Sequence, residues 1–210
     1  MITIHQNAIK AVSYAMAVKD IRHYLNGMKV ETNGIETRLI CCDGHRLNAC
    51  ILPKSGEELL DNVLEFIVPS SLVKAMLKAK SSSRSYKPVF GIEFDGEFIT
   101  VSMPDGSSLR DKAIDGKFPD YSRVIPVEFS GEAAQYNPEY LLDADLAARA
   151  WLNHKTATPA FSHNGDSSGG IAIDGFVAIV MPRRVETTLN APDAAFRSPL
   201  VAAQKEELAA

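Results

Sequence analysis

One phrase recurs three times along the 210 residues: a short strand, a helix, then two or three strands closed by tight turns. A repeat of this kind constrains the fold more than any single motif, because each copy can bury its apolar face only against a neighbour. The first copy opens with a strand at 2–4 and a helix from 7 to about 17. It continues with strands at 24–31, 37–42 and 46–52, and Gly34 turns the chain between the first two. The second opens with a strand at 64–68, and Pro69 and Ser70 start a helix that runs to about 80, since proline suits the first helical turn. Strands follow at 89–94, 98–103 and 109–114, parted by Asp95-Gly96 and Asp105-Gly106, both strong tight-turn dipeptides. The third starts near Ala133 and enters a helix at Asn137-Pro138, a capping residue followed by proline, that extends to about 154. Glycine-bearing breaks at 164–170 and at Asp174-Gly175 leave room for strands near Ala160, at 171–173 and at 176–181.

Composition narrows the function. An apolar share of 46% supports a folded core, and a net charge of -4 carries no general sign of nucleic-acid binding. Any DNA contact must therefore rest on local basic residues. Lys74 and Lys78, four apart, share one helix face, and Lys80, Arg84 and Lys87 prolong the run. That face suits either phosphates or plain solvent. The three cysteines, Cys41, Cys42 and Cys50, read as small buried hydrophobes of a reducing compartment. Without a leader pattern or a long apolar run, the expectation is a soluble cytoplasmic protein with no membrane partner. The alanine-rich segment 186–210 reads as a flexible tail.

Three strings invite a chemical reading. Gly165-Asp-Ser-Ser-Gly-Gly170 has the look of a serine nucleophile loop, but an extra serine breaks the spacing and no histidine stands in a matching context. Cys41-Cys42-Asp43-Gly44-His45 contains metal-ligand types, yet adjacent strand residues point to opposite faces, so the two thiols cannot converge on one ion. Phosphate- and dinucleotide-binding glycine loops are missing. The chain is expected to be no enzyme, with no cofactor and no metal.

Four strings carry a family resemblance: Arg22-His-Tyr-Leu-Asn-Gly-Met28, Cys42-Asp-Gly-His-Arg-Leu47, Gly116-Lys-Phe-Pro-Asp-Tyr-Ser-Arg-Val-Ile-Pro126 and Val180-Met-Pro-Arg-Arg184. Together, and in this order, they resemble signature segments of the bacterial DNA sliding clamp, the beta subunit of DNA polymerase III. The resemblance implies an α+β clamp fold whose repeated strand-helix-strand units set helices on one face of antiparallel sheets. Residues 1–126 are similar to the complete middle domain, and 127–185 to the second half of the last domain.

By that resemblance a pocket for partner peptides comprises Leu25, Cys42, Gly44, His45, Arg46, Leu47, Pro119, Arg123, Val124, Ile179, Val180, Met181, Pro182, Arg183 and Arg184. Leu25, Leu47, Val124 and Val180 are expected to form its apolar floor. Cys42 stands where threonine is common, and Arg183 where an apolar residue is common. Lys19, Arg22, His23, Tyr24, Lys74 and Lys78 are expected to face DNA, with Arg22 equally suited to an ion pair. The implied function is a processivity or scaffold factor that holds duplex DNA without sequence specificity and docks peptides of polymerases and repair proteins. A clamp loader is a further implied partner. The alternative is a reduced relative that binds a host clamp or its client peptides without encircling DNA. Family rings carry twelve repeats, so a chain of three implies four chains per ring, with third units meeting at one end and first units at the other.

Overall fold

The computed structural model describes residues 1–52, 59–80 and 87–184; Arg84 and the segment 186–210 lie outside them. The elements run β1 (Ile2–His5), α1 (Gln6–Ser13), β2 (Gly27–Thr32), β3 (Thr37–Cys42), β4 (Arg46–Leu52), β5 (Leu64–Pro69), α2 (Ser70–Lys78), β6 (Val89–Phe94), β7 (Phe98–Ser102), β8 (Ser108–Lys112), α3 (Pro138–Trp151), β9 (Gly169–Ile173) and β10 (Phe176–Val180). They form an α+β fold of two antiparallel sheets, ordered β1-β6-β7-β8 and β5-β2-β3-β4-β10-β9. The first two units exchange their opening strands: β1 pairs with β6, and β5 with β2. Each sheet is thus completed by a strand of the other unit, which knits the two into one body.

The helices form because apolar residues return every three or four positions and face the sheets. Ala8, Ile9, Ala11 and Val12 are the buried stripe of α1, and Leu72, Val73 and Met76 that of α2. The Gln6 amide donates to the carbonyls of Met76 and Ala79 at 2.8 and 2.9 Å, satisfying groups that the end of α2 leaves open. Asn137 caps α3 by accepting from the Glu139 N–H at 3.1 Å. α1 stops at Ser13 rather than near 17: the Ser13 hydroxyl bonds back to the Lys10 carbonyl, and the Ala17 N–H turns to the Leu25 carbonyl.

The third unit is shorter than its pattern implies. Among the described residues no strand forms near Ala133, and near Ala160 only Ser162 pairs, with Gly170. Polar loop bonds win there instead: Gly131 N–H to the His163 carbonyl, Gly165 N–H to the Glu132 carbonyl, and Ser130 N–H to the Asn164 side chain. The unit joins the molecule through β10, which pairs with β4 from Phe176 opposite Cys50 to Val180 opposite Arg46. α3 lies beside α1, and the Asn7 amide donates to the Trp151 carbonyl at 3.3 Å. The spatial order of the units is therefore second, first, third. This corrects the expectation that the first unit forms a free end.

Candidate functional site

Strand alternation gives the six-stranded sheet a helix face and an outer face. Leu39 and Cys41 of β3, Cys50 and Leu52 of β4, and Phe176, Ala178 and Val180 of β10 point into the main core with the helices. Ile40 and Cys42, Leu47 and Ala49, and Ile179 point outward into a second apolar cluster with Leu25, Ile67 and Phe118. An outward face this apolar must be covered. The cover is the segment 113–129 after β8, which crosses the sheet as a strap and packs Ile114, Phe118, Tyr121, Val124, Ile125 and Phe129 against it.

Cys42, Leu47 and Ile179 form one row across three strands, since Leu47 is opposite both Cys42 and Ile179. Leu25, Leu47 and Ile179 are nearly fully buried. Burial pushes the Cys42 thiol up to about 11, so it stays neutral.

The turn at the end of the row is made by Asp43, whose carboxylate accepts from the N–H groups of His45 and Arg46 at 2.9 and 3.0 Å. Gly44 adopts a φ of +94°, which favours glycine, and the Arg22 guanidinium lies 2.9 Å from where a Cβ would stand. Beyond β10 the Met181 N–H donates to the His45 carbonyl at 2.9 Å, and the Arg183 N–H to the Gln135 carbonyl at 2.7 Å. Gly44, His45, Met181, Arg183 and Arg184 are exposed, and Pro182 is half-buried. Pro119 and Arg123 are exposed on the strap, with Arg123 paired to Asp120 at 2.9 Å.

Segments far apart in sequence thus meet along one outer surface. Val180 and Arg46 of the expected pocket do not share it, and the His45 ring stacks on Tyr140 of α3 with centroids 6.2 Å apart. Val180 lies in the main core, and Ile179 takes the outward position opposite Leu47 instead. Arg46 points to the helix face, where it pairs with Asp43 and Asp143 and sits 4.6 Å over the Tyr140 ring. Each is one strand position from an outward-facing neighbour, Ile179 and Leu47 respectively, and one position reverses the side chain.

The middle of the strap is fastened at two points. Tyr121 donates to Glu31 at 2.6 Å, and burial together with that carboxylate pushes its phenol up to about 12. Ser168, inside the glycine-rich string, donates its hydroxyl to the Val124 carbonyl at 2.6 Å. That string therefore works as a polar fastening. Among the described residues no group of three or more His, Cys, Asp or Glu is placed to hold a metal, and no helix is long and apolar enough to cross a membrane.

The basic residues divide into two groups. Lys74 and Lys78 are exposed on α2, and Lys10, which the sequence reading missed, is exposed on α1. Its signal was available: it is the basic residue that interrupts the apolar stripe of α1. Lys19 is also exposed, at a φ of +57°. Arg22 is engaged, donating to Asp20 at 2.8 Å and to the Asp43 carbonyl at 3.0 Å, and its hydrogen bonds hold the Asp20 carboxyl at about 2. His23 bonds the Asp115 carbonyl at 2.8 Å, and Tyr24 packs against Gly116, so both belong to the start of the strap.

The family described as DNA polymerase III beta subunit, central domain, matches residues 3–120. The beta sliding clamp of Escherichia coli K12 is 36% identical over 123 residues, covering 56% of this chain and 30% of that protein. That of Pseudomonas aeruginosa is 36% identical over 118 residues, with the same shares. The chain therefore spans 30% of the length of these curated relatives. The crystal structure of the Pseudomonas aeruginosa DNA polymerase sliding clamp is similar over 87% of this chain and 65% of that one, with a TM-score of 0.66 and 23% identity. The Thermotoga maritima DNA polymerase III beta subunit is similar over 88% and 66%, with a TM-score of 0.66 and 17% identity. At these identities the structures bear on the fold alone.

Proposed function

Since the chain belongs to the DNA polymerase III beta subunit family, we propose that it acts in the cytoplasm as a non-catalytic processivity or scaffold factor. In this reading the helix side meets duplex DNA, and the outer groove docks short peptides of polymerases and repair proteins. The observation that carries it is the division of labour between the two sides. Lys10, Lys74 and Lys78 are exposed on the helices, while Leu25, Cys42, Leu47 and Ile179 form a buried apolar cluster on the opposite face of the six-stranded sheet. Scattered lysines on helix sides bind phosphates rather than base edges, so DNA contact is independent of sequence. In this reading that cluster, with the exposed Arg123, Met181 and Arg183 around it, serves as the floor for an extended peptide that buries a few side chains and leaves its ends in water.

The domain division follows: 1–126 as a complete clamp domain and 127–185 as a half domain seated on its β4 edge. β9 ends the six-stranded sheet on the third-unit side, and β8 ends the four-stranded sheet on the second-unit side. A closed ring of four chains then joins third units to third units and second units to second units, with a clamp loader as the agent that opens it. The test is binding to two unrelated duplexes across a series of salt concentrations. Equal affinities that fall steeply with salt support the reading, and strong preference for one duplex counts against it.

A further inference from the structure

Lys29 is 7% exposed, yet it lies on the outer side of β2, away from the helix-side core that holds its neighbours Met28 and Val30. A buried ammonium needs partners, and this one has four. Its Nζ stands 2.5 Å from Glu31 and 3.2 Å from Glu65, with the ring centroids of Phe118 and Tyr121 at 5.8 and 5.7 Å. Glu31 uses one carboxylate oxygen for the ammonium and the other for the Tyr121 hydroxyl. Two of the four partners belong to the strap and two to the sheet, so Lys29 is the pin between them.

Close packing does not do this work alone. A cavity of about 820 Å³ opens beside the pin, bounded by the strap, by β2 and β5, and by Phe94, Glu97 and Lys112 of the four-stranded sheet's end. Beside the direct bond from the Ile114 N–H to the Ile67 carbonyl at 3.0 Å, the strap is held here by a cation between aromatic faces and carboxylates, an arrangement that fixes distance and direction more strictly than apolar contact. Arg123 and Val124 stand two and three residues after Tyr121 and are the strap's share of the proposed groove.

We propose that Lys29 is a positioning residue for the peptide groove: it sets the height and register of the strap over the sheet, and through it the placement of Arg123 and Val124 toward a bound peptide. This rests on the groove reading given under Proposed function. Lys29 itself touches no peptide.

The experiment compares the full chain with Lys29→Met, which keeps length but removes charge, Lys29→Arg, which keeps a cation, and Tyr121→Phe, which keeps the ring but removes the hydroxyl. Hydrogen exchange of amides 119–125 is read against the amides of β3 and β4. Affinity is read with a labelled peptide taken from the clamp-binding segment of a bacterial DNA polymerase. Lys29→Met is expected to speed exchange in the strap alone and to weaken the peptide roughly tenfold, with Lys29→Arg recovering most of both. Unchanged strap exchange in a folded Lys29→Met chain overturns the proposal, as does an unchanged peptide affinity. If Lys29→Met fails to fold, Tyr121→Phe decides by the same two readings. A wild-type chain that binds no peptide contradicts the groove reading and removes the proposed role with it; faster strap exchange in Lys29→Met would then establish Lys29 as a strap anchor only.

Discussion

Arg46 on β4 and Asp143 on α3 meet across the seam between the first and third units, with the Arg46 guanidinium also bonded to Asp43 at 2.9 Å and lying over the Tyr140 ring. The side chains are 16% and 31% exposed, so the pair is partly withdrawn from water and its loss leaves a charge without its partner. Arg46→Ala is expected to cost about 2 kcal/mol of stability, measured by denaturant unfolding. The same change should speed amide exchange in α3 more than in α2. Equal effects on both helices would mean that the pair does not serve the seam.

Asp20 offers a pH test of the turn beside the groove. Its carboxyl is depressed to about 2, chiefly by the hydrogen bond from Arg22. The stability it contributes is present above the ordinary carboxylate range and is lost as the pH falls through about 2. Carboxyl-carbon NMR should find the Asp20 midpoint there, and Arg22→Ala should raise it part of the way to the ordinary range, since the backbone N–H of residue 22 still donates to Asp20. A midpoint unmoved by Arg22→Ala contradicts the assignment of Arg22 to the turn.

Lys74→Ala combined with Lys78→Ala should weaken binding to every duplex about equally and lower the slope of log affinity against log salt by about 1.8, the share of two phosphate contacts. Arg22→Ala should change that slope less, because its guanidinium is already committed to Asp20 and Asp43. Titration by fluorescence anisotropy separates the two sets, and a larger loss for Arg22→Ala would reverse their roles.

Much of this arrangement was legible in the sequence, and the exceptions have physical causes. The Asp-Gly dipeptides became turns because an aspartate can accept from the N–H groups just ahead of it, as Asp95 does from Glu97 and Phe98. Asn137-Pro138 started a helix for the same local reason. The end of α1 was not legible, since Ala17 leaves the helix for a carbonyl eight residues away in sequence, at Leu25. The sides taken by Arg46 and Val180 depend on register, and one strand position exchanges inside for outside. Lys29 gave no sign at all: a lysine in a strand reads as solvent-facing until Phe118 and Tyr121, far along the chain, are seen to cover it. Tertiary contacts of that kind are invisible to a reading of local pattern.

Native mass in dilute solution tests the assembly. Three units per chain with β8 and β9 at the sheet ends predict the mass of four chains at micromolar concentration. A stable single chain would contradict the ring, and so would a dimer that stays fixed on dilution. Native mass spectrometry distinguishes these outcomes without labels.

The central claim is that DNA and peptide use opposite sides of one sheet, and simultaneous occupancy tests it most directly. The measurement is titration of a labelled polymerase-derived peptide into protein already saturated with duplex DNA, with both ligands followed by fluorescence anisotropy. The helix face and the outer groove lie on different sides, so the peptide should bind with the same affinity whether or not DNA is present, and the DNA signal should not fall. Mutual displacement, with each ligand driving off the other in proportion to its concentration, would place both on one surface and contradict the account.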